Sequence, residues 1–237
     1  MSQPQQSTVR NRLLKVLSAD DFALLQPHLQ PMATKLRQTL ITPYEPVTQV
    51  FFPEVGYTSI VAEGSGGRVE VGLVGREGLV GASPVLLDSG TTPFHEFIQY
   101  PGEVLAIDAV SFCAAVDHSP TLRKLMLRYI QTKLVQARHT AYMNGAYNMD
   151  VRLARWLLMC HDRLDGDEIE VTHEFIAMML GVQRSGATLA VQTLEGNRLI
   201  KAVRGRVTIR DRDGLVALAD GSYGTTEAEY ARLIEGV

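Results

Sequence analysis

Cysteine is scarce in this chain. Cys113 and Cys160 are the only two among 237 residues, and they stand far apart. That spacing excludes a disulfide scaffold, a Cys-x-x-Cys zinc knuckle and a four-cysteine iron–sulfur site, and leaves both thiols the role of small buried hydrophobes. Long apolar runs are missing as well: no stretch approaches 18 uncharged apolar residues, so no membrane-spanning helix is expected. Met1–Arg12 is polar and has no apolar signal region, from which a cytoplasmic location is expected. Catalytic signatures are absent too, with no Gly-x-Ser-x-Gly, no phosphate-binding P-loop and no His-Glu-x-x-His. The histidines (His28, His95, His118, His139, His161 and His173) are scattered. The strand-rich part of the chain contains only His95, where a metal enzyme would need several converging ligands. Haem held by a single histidine stays open, but the sequence points to no cofactor, no metal and no enzyme.

The most informative segment that is present runs from Val171 to Glu195. Thr172 is placed to cap a short helix whose apolar stripe is Phe175, Ile176, Met179 and Leu180, and Gly181 can take the left-handed conformation that ends it. A second helix starts near Gln183. Val182, Ala187, Ala190, Val191 and Leu194 form its inward face, which leaves Gln183, Arg184, Ser185, Thr188 and Gln192 outside, where a major-groove helix carries its contacts. Downstream, Asn197–Lys201, the basic turn Val203-Arg204-Gly205-Arg206 and the alternating Val207–Arg210 read as a small hairpin, a wing. From Thr172 to Arg212 there are seven Lys/Arg and three Asp/Glu, a local charge of +4 in a chain of net charge −3. Affinity for DNA phosphates depends on such local patches, so an acidic average does not argue against it. The alternative for the helix pair alone is an αα-hairpin in a helical domain.

The first half has a different period. Residues 10–28 read as helical, with a restart at Ser18-Ala19-Asp20-Asp21. From Ala33 to Ile107 the chain breaks into short β-branched or aromatic runs, Gln38–Ile41, Gln49–Phe52, Thr58–Ala62, Arg68–Leu73, Phe94–Gln99 and Glu103–Ile107, separated by turn residues. Many short strands at that spacing suggest a sandwich or barrel, with Glu63–Gly67 as a hairpin tip. Between the halves, Asp117 or Ser119 can cap a long helix with Pro120 in its first turn, running to about Ala146. From His118 to Asn148 it holds five Lys/Arg and no acid. Leu127, Ile130, Leu134, Ala137 and Ala141 recur at coiled-coil spacing, so a homodimer seam is expected; the alternative is a helix packed only on its own barrel.

The order of these parts, with Val151–Leu158 leading into the winged helix, resembles the Crp/Fnr family of bacterial transcription regulators over about Arg10 to Ile209. The resemblance implies an α+β chain. Residues 1–116 would be a cyclic-nucleotide-binding-like antiparallel β-roll of jelly-roll type that senses a signal, 117–148 a dimerisation helix, and 149–237 a winged helix-turn-helix with a C-terminal extension. It implies double-stranded DNA with a palindromic operator as the main partner, RNA polymerase and a small-molecule effector as further partners, and no membrane. In this reading Thr172 contacts phosphate and Arg184 reads a base, since a guanidinium spans O6 and N7 of guanine. Gln183, Ser185, Thr188, Gln192, Arg204 and Arg206 complete the DNA-binding set. Where well-known members carry Glu and Arg, this chain has Ser185 and Leu189, so the familiar operator is not implied.

The sensor half resembles the family less. Val74–Gly81 is similar to its phosphate-binding turn, and Gly75, Arg76, Glu77, Gly78, Thr91, Thr92 and Arg138 are the candidate effector pocket. Yet Gly90–His95 contains no Arg or Lys to neutralise a cyclic phosphate, and Ala137-Arg138 stands where cyclic-AMP-dependent members carry Thr-Ser. A structural turn, a pocket for another small molecule and a cyclic-nucleotide site all remain open for Val74–Gly81. The competing functional readings are a dimeric small-molecule-binding adaptor and a cyclic-nucleotide-dependent regulator. From Asp213 onward the chain carries a charge of about −4 and reads as a last helix, Thr225–Ile234, in an acidic tail beside the wing.

Overall fold

A computed structural model of the chain describes residues 3–236. The described chain divides into two compact units: residues 3–60, 74–134 and 229–236 make the first, and 61–73 with 135–228 the second. The division falls inside the long helix, between 134 and 135, and two segments join the unit that does not hold their neighbours in sequence. The outer part of one hairpin belongs to the second unit, and the C-terminal residues belong to the first.

Helices α1 (Arg12–Lys15) and α2 (Ala19–Leu25) open the first unit, with Ser18 capping α2 through the amide of Asp21. Strands β1 (Gln30–Ala33), β2 (Thr39–Ile41), β3 (Gln49–Gly64), β4 (Gly67–Val74) and β5 (His95–Asp108) form one sheet in the order β1-β5-β3-β4, with β2 also on β5. β1 and β2 pair antiparallel with β5, Gln30 facing Ala106 and Thr39 facing Phe97. Two expected pairs of short strands are thus two long continuous ones. Gly56 and Gly102 break the sequence pattern for another reason: a Cβ on Gly56 would strike the carbonyl of Tyr100, and one on Gly102 the carbonyl of Val55. They are glycine because the backbones approach closely there.

A short α3 (Ala82–Leu86) follows β4, and α4 (Ala109–His118) follows β5, capped by Asp108. The core gathers Leu13, Leu14, Phe22, Phe52, Phe112, Leu122, Met126 and Tyr129, together with Tyr230 and Ile234 from the end of the chain. Those last two residues lie in α10 (Thr225–Tyr230) and the π-helical turn Ala231–Glu235, and Glu235 accepts from Arg12 at 2.8 Å. The last residues of the acidic segment, from Glu229, are therefore packed onto the first unit, while Asp213, Asp220 and Glu227 belong to the second.

The long helix α5 (Pro120–Ala146) starts with Ser119, whose Oγ accepts from the amide of Leu122. Leu122, Met126 and Tyr129 are buried, while Leu127 is 49% and Leu134 42% exposed. Ala137 and Ala141 are exposed as well, so these four seam residues face away from the helix's packed side, while half-buried Ile130 packs against the core. Among the described residues no helix is long and apolar enough to cross a membrane, and no group of three or more His, Cys, Asp or Glu could hold a metal ion.

Candidate nucleic-acid interface

In the second unit, α6 (Met149–His161) is capped by Asn148 and buries Val151, Leu153, Ala154, Trp156, Leu157, Leu158 and Met159. α8 (Arg184–Gly196) packs against it, and α7 (His173–Leu180) packs on α8. Thr172 Oγ1 accepts from the amide of Phe175 at 3.2 Å, spending one of the donors that every helix start leaves open. At the other end Gly181 sits at φ 63°, ψ 43°, its amide donating to Met178 O at 3.2 Å and that of Val182 to Ala177 O at 2.9 Å. This is a Schellman motif. A Cβ on Gly181 would also lie 2.9 Å from a methyl of Val69, so both backbone conformation and space demand glycine.

α8 divides cleanly. Ala187, Ala190, Val191 and Leu194 are buried, whereas Gln183, Arg184, Ser185 and Gln192 are exposed. Thr188 is half-buried and within 3.2 Å of His173 Nδ1, which ties the two helices together and makes it less free than its neighbours. Leu189 lies 65% exposed on the outer face, an apolar contact among polar ones. Strands β6 (Glu168–Glu170), β7 (Ile200–Val203) and β8 (Arg206–Ile209) form a sheet ordered β6-β8-β7. Gly205, at φ 77°, closes the turn between β7 and β8.

The cations of this region are not equivalent. Arg204 is exposed at the wing tip, while Arg206 sits 3.1 Å from Glu168 in an exposed pair of the kind worth at most about 1 kcal/mol. Arg212, at the start of α9 (Arg212–Leu218), faces inward: it donates to Asp162 at 2.7 Å and to Tyr223 Oη at 2.8 Å, and sits 2.8 Å from His161 Nδ1. It is an anchor for the end of α6 and no part of the outer basic face, so the sequence count overstates the surface charge. Nothing in the local sequence separates Arg212 from the wing arginines, because its carboxylate partner Asp162 lies 50 residues upstream.

A Crp-like helix-turn-helix model matches residues 151–218, which run from α6 through the wing to α9. Residues 151–218 form a Crp-like helix-turn-helix domain. The chain is also similar in fold to a Crp/Fnr-family protein from Eubacterium rectale, with a TM-score of 0.70 at 18% identity over 88% of this chain and 98% of that one. FixK2 from Bradyrhizobium japonicum gives 0.68 at 16% identity, covering 80% and 96%. The c-di-GMP-responsive global regulator CLP of Xanthomonas campestris gives 0.65 at 17%, covering 88% and 100%. No curated protein matches the chain in sequence. The chain therefore has the α+β fold of Crp/Fnr regulators and carries their type of helix-turn-helix domain.

The turn that resembles a phosphate-binding cassette has its polar groups committed. Gly75 N–H donates to the Glu77 carboxylate at 3.1 Å, Gly78 N–H to Gly75 O, Leu79 N–H to Tyr129 Oη, and Val80 N–H to Phe51 O. Buried Asn11 donates through Nδ2 to Gly78 O at 2.9 Å, and Arg12 N–H to Arg76 O. A Cβ on Gly78 would meet the Tyr129 hydroxyl and lie 2.8 Å from Val74 Cγ1, so Gly78 is small to admit α5. Gly81 N–H reaches Glu96 at 3.4 Å, and burial pushes that carboxyl up to about 7 against the opposing pull of this amide and of Lys133. Thr91 is exposed, and Thr92 is used locally, its Oγ1 accepting from Phe94 N–H. Arg138 is exposed on α5.

Proposed function

We propose that this chain is a homodimeric, sequence-specific DNA-binding transcription regulator of Crp/Fnr type that recognises a palindromic promoter site and acts without cyclic AMP. The observation that carries this reading is the outer face of α8, where Arg184, Ser185, Leu189 and Gln192 stand exposed at the end of a tight turn, with the opposite face packed. Arg184 suits guanine, and Leu189 suits the methyl group of thymine. Thr172, Gln183 and Thr188 border that face, and Arg204 and Arg206 supply phosphate contacts from the wing. The seam of α5, with Leu127, Leu134, Ala137 and Ala141 exposed and Ile130 half-buried between them, supports a twofold partner. Committed amides in 75–81 and the lack of a cation in 90–95 argue against a cyclic phosphate. Gly75, Arg76, Glu77, Gly78, Thr91, Thr92 and Arg138 stay the candidate pocket for another small effector. RNA polymerase is the expected protein partner, in the cytoplasm.

Selection of bound duplexes from a random pool, with and without cyclic AMP, tests all three parts. The expected product is a dyad-symmetric sequence whose half-sites lie about one helical turn (~34 Å) apart, enriched equally in both conditions. Asymmetric enrichment would remove the dimer. A requirement for cyclic AMP would remove the effector reading. Duplex retention that does not fall between low and moderate salt would favour the adaptor.

A further inference from the structure

The second unit contains a cavity with an inner volume of about 30 Å³, or 420 Å³ with the space open to solvent included, whose wall comprises residues of β4, α5, α6 and α7. Two cations line it, Arg152 and Arg155. Arg155 is only 7% exposed; its Nε donates to Ser222 O at 3.1 Å, while its buried Nη2 has no protein acceptor. Arg152 donates through Nη2 to the carbonyl of Leu180, and its buried Nε has no acceptor either. A buried donor left unmade costs about 1–3 kcal/mol, and more when it is charged. The cavity's carboxylate is Glu70, which accepts from Trp156 Nε1 at 2.8 Å. Two guanidinium groups thus share a lining with one carboxylate, Thr140 and Asn144 being further polar residues of the wall; outside the lining, Glu227 also acts on Arg155 and is opposed by the cation of Arg163.

We propose that this cavity binds a small oxyanion, an inorganic phosphate or a small carboxylate, between Arg152 and Arg155. The excess positive charge calls for an anion, the two unspent N–H groups call for oxygen acceptors, and guanidinium groups match both oxyanion shapes. The inner volume admits a few heavy atoms and excludes a nucleotide. Arg152 also holds Leu180, the last residue of α7 before Gly181, so an anion on this side chain bears directly on the turn of the helix-turn-helix. The site is separate from the DNA-binding reading, since none of its residues lies on the outer face of α8 or in the wing.

Trp156, the only tryptophan, lines the same cavity and reports on it. The full chain is titrated with sodium phosphate, sodium acetate or sodium chloride at matched ionic strength, following tryptophan emission and the thermal midpoint without DNA. Phosphate or acetate is expected to give a saturable change that chloride does not, and which of the two binds more tightly names the source. Arg152→Gln and Arg155→Gln each weaken binding by roughly tenfold to a hundredfold, the loss of one charged hydrogen bond. Glu70→Gln tightens it, because it removes the competing charge and keeps an oxygen for the Trp156 indole. A response that never saturates, or that chloride reproduces, overturns the proposal. So does one that survives unchanged in Arg152→Gln, or that weakens in Glu70→Gln. These two variants decide the matter even if the deeply buried Arg155→Gln fails to fold.

Discussion

The glycine-rich turn at 75–81 and the turn at 181–183 each connect two regular elements, each hold a glycine with positive φ, and each resemble a ligand-contacting part of the same family. They differ in where their polar groups go. In the first, Glu77, Tyr129, Phe51 and Glu96 accept the amides of Gly75, Leu79, Val80 and Gly81, and Asn11 fills the carbonyl of Gly78. In the second, the turn satisfies its own backbone and hands the chain to a helix whose exposed face carries Arg184, Ser185 and Gln192. A candidate site is therefore better judged by the groups it leaves unspent than by the glycines that shape it.

Gly78→Ala is the severest way to break that contrast. If Gly78 serves the packing of Tyr129, a methyl there is expected to destabilise the fold by about 3 kcal/mol, at the upper end of overpacking, read as a fall in the urea midpoint at unchanged slope. Adding Tyr129→Phe should recover part of the loss. If the loss is below about 0.5 kcal/mol, the turn is not clamped as described and its amides are open to a ligand.

Glu96 sharpens the same side. Its carboxyl titrates near 7 in the folded chain because it is buried, against 4.5 for an ordinary glutamate. Between those values the native state holds a proton that the unfolded chain has released. The contribution to stability is whole below about pH 4.5 and disappears as pH rises through 7, a difference on the order of 3 kcal/mol at most. Glu96→Gln should therefore gain on wild type between pH 5 and pH 8 in urea unfolding. A constant offset at both values would show that Glu96 is ionised throughout.

On the other side of the comparison, Arg184→Ala is expected to cost about 1–3 kcal/mol on a selected duplex and no more than a few tenths on a scrambled one at the same salt, in a mobility-shift titration. Arg204→Ala should weaken both equally and lower the salt slope by about 1. Equal losses for Arg184→Ala on the two duplexes would leave α8 with phosphate contacts only.

The range of each interaction decides how much of the fold and site was legible in the sequence. Thr172, Gly181 and the 3.6-residue period of 187–194 are local signals, and α7, α8 and the wing lie where those signals put them. Ser119 and Pro120 likewise mark the start of α5. β1 was not legible, since Gln30-Pro31-Met32-Ala33 has no strand pattern and forms only by pairing with β5. The roles of Arg212, Tyr230 and Gly78 depend on partners tens of residues or more away, which no window of sequence contains.

Gly186 makes the finest test of the open side. It lies in the first turn of α8, and a Cβ built on it meets nothing within 4 Å. Alanine there should therefore stabilise the free protein by up to about 1 kcal/mol through helix propensity alone. The chain accepts the weaker residue, and close approach of the helix backbone to a duplex is the physical reason that fits an outward-facing position. Gly186→Ala is then expected to raise the urea midpoint while weakening binding to the selected duplex severalfold. If stability and affinity rise together, the helix does not enter the groove at Gly186, and the contact must be moved toward Leu189 and Gln192.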